Sequence, residues 1–92
     1  PVSLLMTVAP NPFSSVTEVG FELPRDSEVH LAVYDVQGRL IRSITAGVYL
    51  RGEHQTRWDG RDSMGKDVAS GLYYCRLEAT GLVEVRSLVR VR

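Results

Sequence analysis

The stretch from Trp58 to Tyr74 constrains this chain more than any other. The only tryptophan ends an alternating run, a polar loop with several glycines follows, and Gly71 opens a second alternating run. Alternation of period two is the mark of a half-buried strand, because successive side chains point to opposite faces. The stretch therefore reads as strand, structured loop, strand, with Trp58 and Tyr73 pinning its two ends into a core. Gly60, Gly65 and Gly71 let the link fold. Asp59 and Asp62 cap the loop's own backbone amides.

The other segments repeat the period. Ser3–Ala9 is a short apolar run, closed by Pro10 and Pro12, which remove backbone donors and stop pairing. Phe13 folds back onto the core. Thr17–Leu23 places Val19, Phe21 and Leu23 on one face, and Glu28–Val36 does the same with Val29, Leu31 and Val33. Gln37-Gly38 makes a tight hairpin into Arg39–Thr45. Ala46–Gly52 reads as a longer connection crossing between sheets, with Tyr49 and Leu50 capping the core's edge. Glu53–Trp58 and Leu72–Glu78 alternate again, the second with Tyr73, Cys75 and Leu77 inward. Thr80-Gly81 turns the chain into Leu82–Val91, where Val83, Val85, Val89 and Val91 share the expected inward parity and Ser87 interrupts it.

Seven strand-like runs with regular turn signals and no helical period predict an all-β, immunoglobulin-like sandwich of about seven antiparallel strands. Ninety-two residues make it a single domain spanning 1–92. No internal repeat is visible. The chain starts at Pro1 without a methionine, so we expect a module of a longer exported protein whose export signal lies outside this sequence.

Composition narrows the function. Eleven basic residues balance eleven acidic ones, so no net field attracts nucleic acid. No run approaches the ~18 apolar residues of a membrane helix. Cys75 is the only cysteine, which excludes an intrachain disulfide and a thiolate cluster; inside an apolar strand it reads as an inert, buried thiol. His30 and His54 read as ordinary strand residues, no serine sits in a nucleophile motif, and no catalysis is expected. Asp59, Asp62 and Asp67 raise a calcium site, since calcium wants six to eight oxygens, although their spacing is not that of an EF-hand. No other cofactor is expected. Tyr34, Tyr49 and Tyr74 offer rings for weak glycan binding. Pro1–Ala9 offers an edge strand for assembly with a neighbouring domain or subunit.

Five pieces in register resemble the bacterial FlgD-type immunoglobulin-like domain and the related C-terminal sorting domains of type IX secretion cargo. They are Pro10-Asn11-Pro12-Phe13; Val33-Tyr34-Asp35 through Gly38-Arg39-Leu40-Ile41; Gly52-Glu53-His54 leading into Trp58-Asp59-Gly60-Arg61-Asp62 and Gly65; Val68-Ala69-Ser70-Gly71-Leu72-Tyr73; and Leu88-Val89-Arg90-Val91-Arg92. The resemblance implies a non-catalytic C-terminal module that serves sorting, anchoring or assembly of an exported bacterial protein at the cell surface or outside it. Its partners would be proteins, either secretion machinery or a neighbouring domain, met through a folded surface that includes Leu88, Val89, Arg90, Val91 and Arg92. A structural unit of a filament or a flagellar hook-cap-like scaffold is the alternative role, and weak glycan binding the second.

Overall fold

The structure, a computed structural model, describes residues 4–92. Its strands are β1 Leu5–Ala9, β2 Thr17–Leu23, β3 Ser27–Asp35, β4 Leu40–Tyr49, β5 Gly52–Trp58, β6 Gly71–Ala79 and β7 Leu82–Arg90. They form a three-stranded sheet in the order β1-β2-β5 and a four-stranded sheet in the order β4-β3-β6-β7, every pairing antiparallel. The predicted sandwich is what the chain forms. β1 lies over β7 at one side and β5 over β4 at the other. Between the sheets sit Val19, Phe21, Val29, Leu31, Val33, Trp58, Cys75, Leu77 and Leu88, all buried. Burial pushes the Cys75 thiol up to about 12, so it is inert at neutral pH.

Two expectations need correction. The connection expected over 46–52 shrinks to Leu50 and Arg51, because Ala46–Tyr49 go on pairing with Ser27–His30 of β3. The short link still crosses between the sheets. Tyr49 does cap the core, standing edge-on to Phe21 with ring centroids 5.5 Å apart, while Leu50 is exposed.

The second correction concerns β7. Val83, Val85 and Val91 are exposed, and the buried side chains are Leu88 and Arg90. Pairing with β6 decides this. Directly opposed residues share a face, and Leu88, Arg86 and Glu84 stand opposite the inward Tyr73, Cys75 and Leu77. Aliphatic parity therefore pointed to the wrong face. Glu84 and Arg86 lie half-exposed at the sheet's edge, joined by a 2.6 Å ion pair. β1 docks on β2 of its own sheet; residues 1–3 of the expected first strand lie outside the described ones.

The β6–β7 turn has Thr80 at φ 53° and Gly81 at φ 75°. A two-residue hairpin whose central residues both have positive φ suits glycine or asparagine, whereas a β-branched residue there is strained. Thr80→Asn is expected to stabilise the domain by about 1 kcal/mol, read as a higher Tm in a thermal melt.

Candidate functional site

Four of the signature pieces and the Trp58–Gly65 part of the remaining one meet at one pole of the sandwich, while Gly52–His54 pairs with Phe21–Leu23 at the opposite end. Trp58, at the end of β5, stands between Phe13 and Tyr73, with centroid distances of 5.5 and 5.8 Å. Its indole N–H donates to the Arg61 carbonyl at 2.9 Å, and the Tyr73 hydroxyl donates to Ala69 at 2.7 Å. Burial pushes the Tyr73 phenol up. Both aromatics therefore tie the loop that joins their strands.

Arg90 is the surprise of this pole. It is 6 % exposed, its guanidinium donates to the Gly60 carbonyl, and its Cζ lies 5.7 Å from the centre of the Phe13 ring. Asp67 is 3.7 Å from it and also 3.7 Å from Arg61. Gly60 accepts a second bond from Val68 N–H at 2.9 Å. No side chain fits at position 60, because a Cβ there would fall inside the Arg90 guanidinium, and its φ of 72° is left-handed besides. An arginine in an apolar-looking terminal strand gives no sequence signal of burial.

The loop holds a second device, of which sequence reading found the Asp62 cap on backbone amides but not its repetition elsewhere. Asp62 N–H donates to the Lys66 carbonyl and Gly65 N–H to the Asp62 carbonyl, at 2.8 and 3.0 Å. The Asp62 Oδ1 accepts from Met64 and Lys66 N–H at 2.9 and 3.0 Å. The β3–β4 hairpin repeats this wiring. Asp35 N–H donates to the Arg39 carbonyl and Gly38 N–H to Asp35, both at 3.0 Å, while the Asp35 Oδ1 accepts from Gln37 and Arg39 N–H, both at 2.9 Å. Asp35-x-x-Gly38-Arg39 and Asp62-x-x-Gly65-Lys66 are thus twin turns, each closed by an aspartate. The Arg39 N–H, together with its guanidinium at 2.8 Å, holds the Asp35 carboxyl below the ordinary carboxylate range.

The twins flank an open cleft of about 560 Å³ floored by Ile41, Val68 and Tyr73 and rimmed by Arg39 and Lys66. That volume is in the range of small-ligand and side-chain sites. Ser63 N–H donates to the Ile41 carbonyl at 3.0 Å and braces the loop against β4. On the far wall Ser70 accepts from Arg92 N–H at 3.0 Å, so the end of the chain borders the cleft.

The three aspartates raised for calcium do not converge. Asp59 accepts from Arg61 N–H at 3.1 Å and faces the Arg42 guanidinium at 3.3 Å; Asp62 closes its turn; Asp67 serves two arginines. Among the described residues no three acidic, histidine or cysteine side chains group as a metal site. We expect the same Tm in excess calcium and in excess chelator. Of the terminal residues, Leu88 and Arg90 point into the core, while Val91 and Arg92 are exposed. Tyr34 and Tyr74 stand opposite each other on the outer face of the larger sheet, whereas Tyr49 belongs to the core edge, bonded to Thr45 at 2.6 Å. His54 is spent on the Leu50 carbonyl at 2.6 Å.

Gly60→Ala is expected to cost at least about 2 kcal/mol in urea unfolding, since it evicts a buried charge. Gly65→Ala meets no atom within 4 Å. Its cost is the left-handed backbone alone, about 1 kcal/mol.

Known proteins resemble the chain at several levels. The family model described as the FlgD Ig-like domain matches residues 8–82. No curated protein sequence matches the chain. Among solved structures, dimeric latent PorU from Porphyromonas gingivalis superposes with a TM-score of 0.73 at 22% identity, covering 99% of this chain and 9% of PorU. PorZ, an essential surface component of the type IX secretion system of the same organism, gives 0.65 at 22% identity, over 95% of this chain and 11% of PorZ. FlgD from P. aeruginosa gives 0.65 at 24% identity, over 96% of this chain and 74% of FlgD. At these identities the likeness shows the fold. The chain spans about a tenth of the length of PorU and PorZ.

Proposed function

The chain belongs to the FlgD Ig-like domain family, a non-catalytic immunoglobulin-like module, and on that premise we propose that it serves sorting, anchoring or assembly of an exported bacterial protein. The observation that carries this reading is the convergence on one pole of four signature pieces and the Trp58–Gly65 part of the remaining one. Trp58, Tyr73, Phe13 and Arg90 weld that pole together from inside, and the twin turns present a cleft on its outside. The polar groups of the pole are largely committed to holding its own loops, which leaves shape and rim charge for a protein partner to read. Val91 and Arg92 beside Ser70 extend that surface. The same fold occurs as a small fraction of PorU and PorZ, which supports a module that a larger protein carries to the bacterial surface.

The test separates recognition from folding. Truncating the last residues would remove Arg90 and with it the buried contact to Gly60, so a loss of export would report misfolding. The better variants are Lys66→Glu and the pair Val91→Asp with Arg92→Glu, which change exposed groups only. Fused behind a signal peptide and a reporter in a bacterium with type IX secretion, the unaltered domain is expected to deliver the reporter to the surface. The variants are expected to retain it in the periplasm at unchanged Tm. Unchanged delivery by all of them would remove the pole from the recognition surface.

A further inference from the structure

β7 is the edge of the larger sheet, and the chain covers only half of that edge. Asn11 lies along it and acts as a short strand: its side-chain N–H donates to the Ser87 carbonyl and its side-chain oxygen accepts from Val89 N–H, both at 2.9 Å. Phe13 continues the ladder, donating to the Val89 carbonyl at 3.0 Å and accepting from Val91 N–H at 2.8 Å. The odd-numbered residues of β7 therefore turn their backbone groups away from β6. The pairing with β6 runs without a register shift, so Val83 and Val85 do the same. Among the described residues their outward N–H and C=O groups have no partner strand, and the Val85 carbonyl takes only the exposed Arg86 guanidinium, at 3.1 Å, which an incoming strand must displace.

An open edge accepts another strand, and here the side chains select which one. In an antiparallel pair, outward residues must face outward residues, so a two-fold pairing of β7 with itself must centre on one residue. Centred on Glu84, it opposes Glu84 to its own copy; centred on Arg86, it opposes two arginines. Centred on Val85, it sets Glu84 against the partner's Arg86 and Arg86 against the partner's Glu84, at non-hydrogen-bonded positions with Cα atoms about 4.5 Å apart. Val83 then faces Ser87, and about six backbone hydrogen bonds form. In this register the incoming Leu82 and Val83 need the space that the Asn11 side chain fills over Ser87 and Val89. The charges invite a second copy and Asn11 bars it.

We propose that β7 is a self-complementary edge held shut by Asn11, and that releasing Asn11 lets a second copy of the chain continue the sheet through a two-fold axis at Val85. The surface is separate from the cleft, so this inference stands apart from the reading above. Its chemistry is a backbone ladder plus two exchanged ion pairs, with the second copy as the only occupant that meets both.

Sedimentation over a concentration series tests it. The unaltered chain is expected to stay monomeric, and Asn11→Ala to double its mass as concentration rises. In the Asn11→Ala background Glu84→Arg should abolish the doubling, and adding Arg86→Glu should restore it. Cross-linking fixes the register. Val85→Cys is expected to form an interchain disulfide under mild oxidation, whereas Val83→Cys, about 13 Å from its copy in this pairing, should not. The buried Cys75 thiol does not compete. If Asn11→Ala melts too low to study, Asn11→Ser carries the same comparison with a shorter side chain. A folded Asn11 variant that stays monomeric, or cross-linking equal at 83 and 85, overturns the proposal.

Discussion

The guanidinium of Arg90 sits where a small sandwich can least accommodate a charge, and the pole around it is arranged to make that burial tolerable. Removing such a group from water costs several kcal/mol, recovered only through hydrogen bonds and opposite charge. Gly60 supplies a carbonyl, Asp67 a carboxylate at 3.7 Å and Phe13 the face of a ring. Each comes from a different segment: the loop after β5, its return toward β6, and the lead-in before β2. Arg90 itself comes from the last strand. None of these segments has a reason to adopt its conformation without the others. A family-model match that ends at residue 82 thus stops short of the residue that closes the fold.

Alternation carried most of the architecture. β2, β3 and β6 were legible because their inner faces are mainly apolar, and β5 because its alternation ends on Trp58, so period two had one reading. β7 misled because both faces carry a signal. Its outer face shows Val83, Val85 and Val89, cross-strand neighbours of Leu72, Arg76 and Glu78, while its inner face runs Glu84, Arg86, Leu88, Arg90. The parity of a strand at a sheet edge is set by its single neighbour, and composition alone does not show that neighbour. β4 was cut short for a related reason. Its register shifts against β3 at Leu31/Ala32 and Val33/Tyr34, which breaks the alternation that would have marked it as one strand to Tyr49.

The pole was legible as a signature and illegible as a mechanism. Trp58, Gly60, Asp62 and Tyr73 stood out; Trp58, Asp62 and Tyr73 bond within four positions of themselves, but neither those particular partners nor the bond from Arg90 to Gly60, 30 positions apart, is written in the pattern. The twin turns show this most clearly. Asp-x-x-Gly-Arg and Asp-x-x-Gly-Lys occur 27 positions apart, too short and too common a pattern to count as a repeat. Only the matching sets of backbone and Oδ1 bonds identify them as one device used twice, on opposite walls of a cleft. The aspartates that invited a metal are the closures of these turns and the counter-ions of arginines. That assignment also explains why loop polarity here carries little chemistry: the groups are consumed in holding shape.

Edges impose the remaining constraint on a sandwich, because an unpaired strand will add to whatever strand it meets. The two edges of the larger sheet are managed differently. β4 is interrupted by its register shifts and braced by Ser63, whose N–H takes the Ile41 carbonyl. β7 pairs without interruption, and its protection comes from another part of the chain, Asn11 and Phe13. Protection by a bulge is built into the strand and cannot be withdrawn. Protection by a neighbouring segment can be, since it rests on two side-chain bonds from Asn11, flanked by Pro10 and Pro12, and two backbone bonds to Phe13. The Glu84–Arg86 pair lies on the half that this stretch leaves bare. Charges of opposite sign two residues apart repel a copy aligned on either of them and attract one aligned midway between. The same residues that guard the edge in most registers therefore define the one register in which it can pair.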